Sequence, residues 1–250
     1  MEPILQLQSV SKAFGGLRVT NDLSFSVYPG EISAIIGPNG AGKTTLFNQI
    51  TGHLLPDNGK ILFKGEDIVG RSPQTIVKRG MGRAFQIASI FPEETVLDNV
   101  KAATLSNLDQ TLKFWRSAAV FKRAQDAAYA ILCSLGLEKQ ADRLAFELSH
   151  GDQKLLDIAI ALALEPTILL LDEPTAGMSP EERHRTRNMI KDIREKFDLT
   201  LVFIEHDMDM VFDIAQIVRV LQQGSLLAEG TPEEIQQNSE VVSAYLGEEL

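Results

Sequence analysis

The chain has 250 residues, with Lys plus Arg at 24 against Asp plus Glu at 34, so its formal charge is 24 − 34 = −10. At 44% apolar and 23% charged it has an ordinary globular composition, which excludes intrinsic disorder, a collagen-like repeat and a coiled-coil rod. The acidic balance argues against a general nucleic-acid binder, which would carry a basic face, though it leaves room for a local phosphate site.

One cysteine, Cys133, excludes an internal disulfide and a cysteine-rich zinc site; it reads as a core residue between Leu132 and Leu135. The longest uninterrupted apolar run is 158–164, far short of the ~18–20 residues a bilayer crossing needs. Met1-Glu2-Pro3 is not the start of a secretory signal, so the expected location is cytosolic.

In chain order, 4–28 predicts strands, with Leu5 and Leu7 and then Leu23, Phe25 and Val27 alternating with polar residues around a Gly15-Gly16 turn. Residues 32–36 predict a short apolar strand running into a glycine-rich loop. A helix over 44–51 follows, ended by Gly52. A strand is expected at 60–63, a helix at 74–79 and an extended stretch at 82–86. From about 88 to 164 helical periodicity dominates, with helices at 96–105, 118–135 and 152–164. Phe114, Trp115 and Phe121 read as builders of this block. Strands return at 168–171, 200–204 and 217–221, separated by helices at 180–196 and 208–215; the charged residues of 181–196 read as a wet helix face. Strand–helix alternation predicts an α/β chain with a parallel sheet covered on both faces, the helical block being an inserted subdomain.

Gly37-Pro38-Asn39-Gly40-Ala41-Gly42-Lys43-Thr44 fits G-x-x-x-x-G-K-[ST] between a predicted strand and a predicted helix. Glycines let consecutive N–H groups turn inward to phosphate oxygens, and the helix start adds partial positive charge. Lys43 suits the outer phosphates, and the Thr44 hydroxyl suits Mg²⁺. Asp172 and Glu173 end the apolar strand at 168–171, where open α/β sheets bind ligands. There Asp172 can hold Mg²⁺ directly or through water, and Glu173 can deprotonate an attacking water. Ser149 and Gly151 precede a predicted helix: either an N-cap or a second anion site. His206 follows the strand at 200–204 and suits a terminal phosphate. Gln86, at the start of the helical block, either senses Mg²⁺ or water or is merely structural. Phe14 either stacks on a purine or packs.

Taken together these residues resemble the ATP-binding-cassette (ABC) ATPases over essentially the whole chain. The resemblance implies a P-loop core with a parallel sheet, an N-terminal antiparallel β subdomain and an inserted helical subdomain. Its division would be 1–87 and 166–250 for the nucleotide-binding core and 88–165 for the helical part. It implies ATP and Mg²⁺ as ligands. Gly37 to Thr44 would be the Walker A loop, with ATP bound at Gly37 to Thr45, 168–172 Walker B, Glu173 the catalytic base, Gln86 the Q-loop glutamine, His206 the switch histidine and Phe14 the adenine-stacking aromatic. Thr44, Gln86 and Asp172 would face the metal. Residues 148–153 resemble the signature motif, with His150 and Asp152 where glycine and glutamine are usual; Ser149 and Gly151 would close over ATP bound to a second copy. Ala176-Gly177-Met178-Ser179 is similar to the D-loop, with Ser179 where aspartate is commonest.

Phe14-Gly15-Gly16-Leu17, Gly82-Arg83-Ala84-Phe85-Gln86 and Ala244-Tyr245-Leu246-Gly247 narrow the resemblance to the ATPases of branched-chain amino-acid importers. His150 and Gly177-Met178-Ser179 are also similar to urea-importer ATPases, and the tail to a lipopolysaccharide-export ATPase. A non-transport ABC ATPase of repair or translation, or an inactive nucleotide-binding module, is a further alternative. The importer reading implies permease subunits at the cytoplasmic face of the membrane, docked near Gln86 and the helical block. It also implies a second ATPase copy, a solute-binding protein acting indirectly, and no nucleic acid.

Overall fold

A computed structural model describes residues 1–84, 90–107 and 118–243. In chain order the elements are β1 (Leu5–Phe14), β2 (Leu17–Val27), β3 (Ile32–Ile36), α1 (Lys43–Ile50), β4 (Asn58–Phe63), β5 (Glu66–Asp67), α2 (Pro73–Lys78) and β6 (Met81–Ala84). Then come α3 (Val96–Asn107), α4 (Ala118–Leu135), α5 (His150–Leu162), β7 (Ile168–Asp172) and α6 (Pro180–Lys196). The chain continues with β8 (Thr200–Ile204), α7 (Met208–Ile214), β9 (Ile217–Gln222), β10 (Ser225–Gly230), α8 (Pro232–Gln237) and α9 (Ser239–Val241). The described chain forms two compact units, one of residues 1–76 with 199–250 and one of residues 77–198.

The first unit carries an antiparallel sheet in the order β2-β1-β4-β5. β1 and β2 form the hairpin expected from Gly15-Gly16, with Phe14 opposite Leu17 and Leu5 opposite Val27. Leu5, Leu7 and Val10 all point into the core although 7 and 10 differ in parity. The register shifts between them, where Ser9 takes φ 53°; one extra residue there returns the apolar side chains to the buried face. In the same unit β3 lies between β8 and β9, parallel to both, and β10 returns antiparallel to β9. All five residues of β3 and of β8 are buried, which is why both are largely apolar, with Ser33 and Thr200 the polar exceptions. Arg219 on β9 is buried and bonds Glu31, Glu229, Ser33 and the Ser26 carbonyl oxygen, so one satisfied cation ties β2, β9 and β10 to the start of β3.

The second unit pairs β6 with β7 in parallel, Met81 opposite Ile168 and Ala84 opposite Leu171. Helices α3, α4 and α5 pack on one another, and α5 also meets β6. The buried positions of α4 are Ala124, Ala128, Ile131, Leu132 and Leu135, a single stripe at helical spacing. Cys133 falls off that stripe and is exposed, which corrects its expected place in the core. The reason is phase: one residue beyond Leu132 turns the side chain about 100° toward water. Phe121 is likewise 45% exposed rather than a core member of the helical block, whereas Phe114 and Trp115 lie outside the described residues. Helix α6 has the expected wet face and buries Thr186, Met189, Ile190 and Ile193.

Among the described residues no helix is long and apolar enough to cross a membrane.

Candidate functional site

The glycine-rich loop lies in the first unit. β3 delivers the chain to Gly37, and α1 opens at Lys43 with Gly42 at its N-cap in the left-handed region (φ 99°) and no capping side chain. The first-turn N–H groups of a helix have no intrahelical partner, and they attract anions. The loop has no room for side chains on its inner side. A Cβ on Gly37 would come within 2.2 Å of the Leu221 carbonyl oxygen, and one on Gly42 within 2.2 Å of that of Val19. Behind the loop stands the tight turn Gln223-Gly224, whose φ values of 48° and 81° make a two-residue connection from β9 to β10. The Gly224 N–H donates to the Ala41 carbonyl oxygen at 3.1 Å.

The Lys43 side chain folds back over the loop, its Nζ donating to the carbonyl oxygens of Gly37 at 2.6 Å and Pro38 at 3.1 Å. Asn39, Gly40 and Thr44 are exposed and Thr45 is half-buried, while Ala41 is buried and supports the loop from within. His206 lies just past β8, and β8 pairs with β3 such that Ile204 stands opposite Ile35. The structure therefore brings His206 to the same strand ends as the loop. The His206 N–H donates to the buried carboxylate of Glu205 at 3.0 Å, and Asp207 caps α7 through the Met210 N–H, leaving the imidazole exposed. Phe14, at the hairpin tip, is 52% exposed with Lys12 Nζ 5.6 Å from its ring centroid.

The acids lie in the second unit. Asp172 is the last residue of β7 and is buried. Arg83 on β6 donates from Nη2 to Asp172 Oδ2 at 2.9 Å; the two side chains are 6% and 1% exposed. Arg83 stands opposite Leu170, and residues two apart on a strand share a face, so the guanidinium reaches diagonally to Asp172. Breaking such a buried pair by removing one partner costs about 3 to 5 kcal/mol. Burial pushes the Asp172 carboxyl above the ordinary carboxylate range, and the hydrogen bond and charge of Arg83 oppose that rise. Asp172 Oδ1 is buried with no hydrogen-bond partner among the described residues.

Glu173 follows with φ 51°, a conformation uncommon outside glycine, and is half-buried. Its carbonyl oxygen accepts from the buried Lys154 Nζ at 2.7 Å and from the Ala176 N–H at 3.2 Å. Two bonds to the Glu173 carbonyl oxygen, one from the Lys154 side chain and one from the backbone, thus hold the strained turn.

Ser149 caps α5, its Oγ accepting from the Asp152 N–H at 3.1 Å, so the helix begins at His150 rather than at 152. The two departures from the family pattern both face the segment after Glu173. Asp152 pairs with Arg185 of α6 at 3.3 Å, and a Cβ on Gly177 would meet the His150 ring at 3.3 Å. Ser179 caps α6 in a reciprocal box with Glu182, which gives that position its own structural employment. Gln86 lies outside the described residues, as do Phe85 and the tail residues Ala244, Tyr245, Leu246 and Gly247. Sequence reasoning passed over Arg83 and Lys154. The available signal was a charged residue inside an otherwise small and apolar strand, and a lysine amid the apolar stretch of α5.

Residues 20–176 match the family described as ABC transporter, and residues 225–250 match the branched-chain amino acid ATP-binding cassette transporter family. The chain is 40% identical to the high-affinity branched-chain amino acid transport ATP-binding protein LivG of Escherichia coli K12, over 99% of both chains. It is 38% identical to the corresponding protein BraF of Pseudomonas aeruginosa, over 98% of both. Among solved structures it superposes on MJ1267, an ATP-binding cassette of an ABC transporter, with a TM-score of 0.86 at 33% identity, covering 98% of this chain and 99% of that one. MJ1267 has also been solved in its ADP conformation; that structure superposes with a TM-score of 0.84 at 32% identity, over 99% of this chain and 100% of that one. The expected α/β cassette fold is borne out, and the chain belongs to the ABC transporter family as one of its ATP-binding cassettes.

Proposed function

We propose that this chain is the ATP-hydrolysing subunit of an importer and that it powers the uptake of branched-chain amino acids. The carrying observation is the full-length similarity to LivG, joined to a loop whose helix start has no capping side chain and whose folded-back lysine suits a polyphosphate. The roles follow from chemistry. N–H groups of the loop from Gly37 to Thr45 receive phosphate oxygens, and the Lys43 ammonium exchanges two carbonyl partners for the outer phosphates. Phe14 offers an exposed ring for the adenine. Glu173 accepts the proton of the attacking water, and His206 donates to the departing phosphate. Gln86 reports the state of the nucleotide to the permease.

The chemistry of the proposed ligands suits Mg²⁺: Asp172 has a buried oxygen with no hydrogen-bond partner among the described residues, and Thr44 offers an exposed hydroxyl. When bound, the cation supplies charge neutralisation at the phosphates. The partners are permease subunits at the cytoplasmic face of a membrane, with a solute-binding protein acting through them. A second ATPase copy contributes its Ser149 and Gly151 over the bound ATP.

Deleting the gene is expected to lower accumulation of labelled leucine, isoleucine or valine. A copy carrying Glu173→Gln is expected not to restore it. Normal uptake of all three with a loss of urea uptake would replace the substrate, and a loss of envelope lipid transport would end the importer reading.

The shared site has its own test. Ser149→Arg is expected to abolish hydrolysis while the isolated chain still binds ATP. The lost cap costs α5 about 1 kcal/mol, which the fold tolerates. Gly151→Asp is less clean, because a Cβ at Gly151 already meets the Glu182 carboxylate at 3.3 Å. Loss of ATP binding by a folded Ser149→Arg monomer, seen by calorimetry, would refute the shared site.

A further inference from the structure

We infer that Arg83 is a positioning residue for the metal-facing acid: it pins one oxygen of Asp172 and thereby offers the other, in a fixed direction, to the cation that accompanies ATP. This rests on the proposed role of Asp172 and adds a residue to it. The geometry is unusual for a structural ion pair. Arg83 bonds Oδ2, while the equally buried Oδ1 has no partner among the described residues. An orphaned buried acceptor is destabilising, so an unpaired carboxylate oxygen on an almost wholly buried strand-end acid calls for an explanation. An acid fastened on one side and unpaired on the other is built to receive something on the unpaired side.

The strand register makes the fastening rigid. Arg83 and Asp172 lie on adjacent parallel strands whose paired residues run from Met81 with Ile168 to Ala84 with Leu171. Both side chains are almost wholly buried, so neither swings without moving β6 against β7. Guanidinium also differs from ammonium here. Its planar group directs one Nη–H at Asp172 Oδ2, whereas a lysine amine at this place would supply charge with a freely rotating donor.

The experiment compares ATP affinity of the full chain with Mg²⁺ and with EDTA, in Arg83→Lys and Arg83→Met. Affinity in EDTA is expected to stay within about twofold, while the gain from adding Mg²⁺ shrinks by about tenfold, the usual scale for losing a group that orients a metal ligand. Mn²⁺ binding to the ATP-loaded chain, followed by the resonance of free Mn²⁺, is expected to weaken in parallel. In an Asp172→Ala background, Arg83→Lys is expected to change neither quantity further. A folded Arg83→Lys that keeps the full Mg²⁺ gain would overturn the inference, as would equal losses in EDTA and Mg²⁺. Should both variants fail to fold, the isotope-labelled guanidinium of the unaltered chain decides: its Nη protons are expected to stay slowly exchanging when Mg-ATP is added, and release to free-arginine exchange would overturn the pinning. If the unaltered chain itself gains nothing from Mg²⁺, it is the role of Asp172 that fails, and Arg83 is not what has been refuted.

Discussion

Glu173→Gln is expected to retain ATP and to lose hydrolysis by about 10² to 10⁴ in rate, the usual contribution of a positioned general base. Glutamine matches the size of glutamate and can still hydrogen-bond to water, but it cannot take the proton. The local fold survives the change because the strained backbone at φ 51° is held from outside the side chain, by Lys154 Nζ and by the Ala176 N–H on the Glu173 carbonyl oxygen. Stability is therefore expected within about 0.5 kcal/mol of the parent, as for a near-isosteric exchange at a half-buried position. Phosphate release measures the chemistry, and a sizing column run in ATP is expected to show a nucleotide-loaded dimer that no longer turns over. Near-normal phosphate release from this variant would remove Glu173 from the base role.

What could be read from the sequence was whatever is written along one dimension. The glycine loop between an apolar strand and a helix, the run of 168–171 closed by Asp172 and Glu173, and α4, α6 and β8 with their ends all carry local signals. For α6 the signal is explicit: Ser179, Pro180 and Glu182 spell an N-cap, a first-turn proline and a capping box, and the structure has all three. The same pattern at Thr231, Pro232 and Glu234 starts α8 and was equally available, though no helix was expected there. The β9–β10 hairpin was missed because its turn is Gln223-Gly224, and glutamine is a weak marker for a position needing positive φ.

Other features were not legible because their cause is distant in sequence. Arg83 meets Asp172 across 89 positions, and Asp152 meets Arg185 across 33. No periodicity within β6 or at the start of α5 can announce a partner on another element. Cys133 shows the finer version of this limit. A cysteine between Leu132 and Leu135 was rightly helical, but its burial depended on the phase of one stripe, which Ala124, Ala128 and Ile131 set.

Lys43→Ala is expected to weaken ATP binding by roughly ten- to a hundredfold, from about 1.5 to 3 kcal/mol for a hydrogen bond to a charged group. Hydrolysis is expected to fall further, by about 10² to 10³, since charge develops on the transferring phosphoryl group where the ammonium would lie. Lys43 is the sole cation between Gly37 and Thr45, so nothing else in the loop replaces it. Its Nζ donates to the carbonyl oxygens of Gly37 and Pro38, and the buried stem packs under the loop. Alanine therefore removes packing as well as charge. Lys43→Met separates the two, because it keeps most of the stem and none of the charge. If the loop is the phosphate site, both variants lose ATP to a similar degree in calorimetry with Mg-ATP, and the methionine variant melts close to the parent. If Lys43→Met bound and hydrolysed ATP as the parent does, the ammonium would be only an internal strut for the carbonyls of Gly37 and Pro38, and the phosphates would have to be held elsewhere.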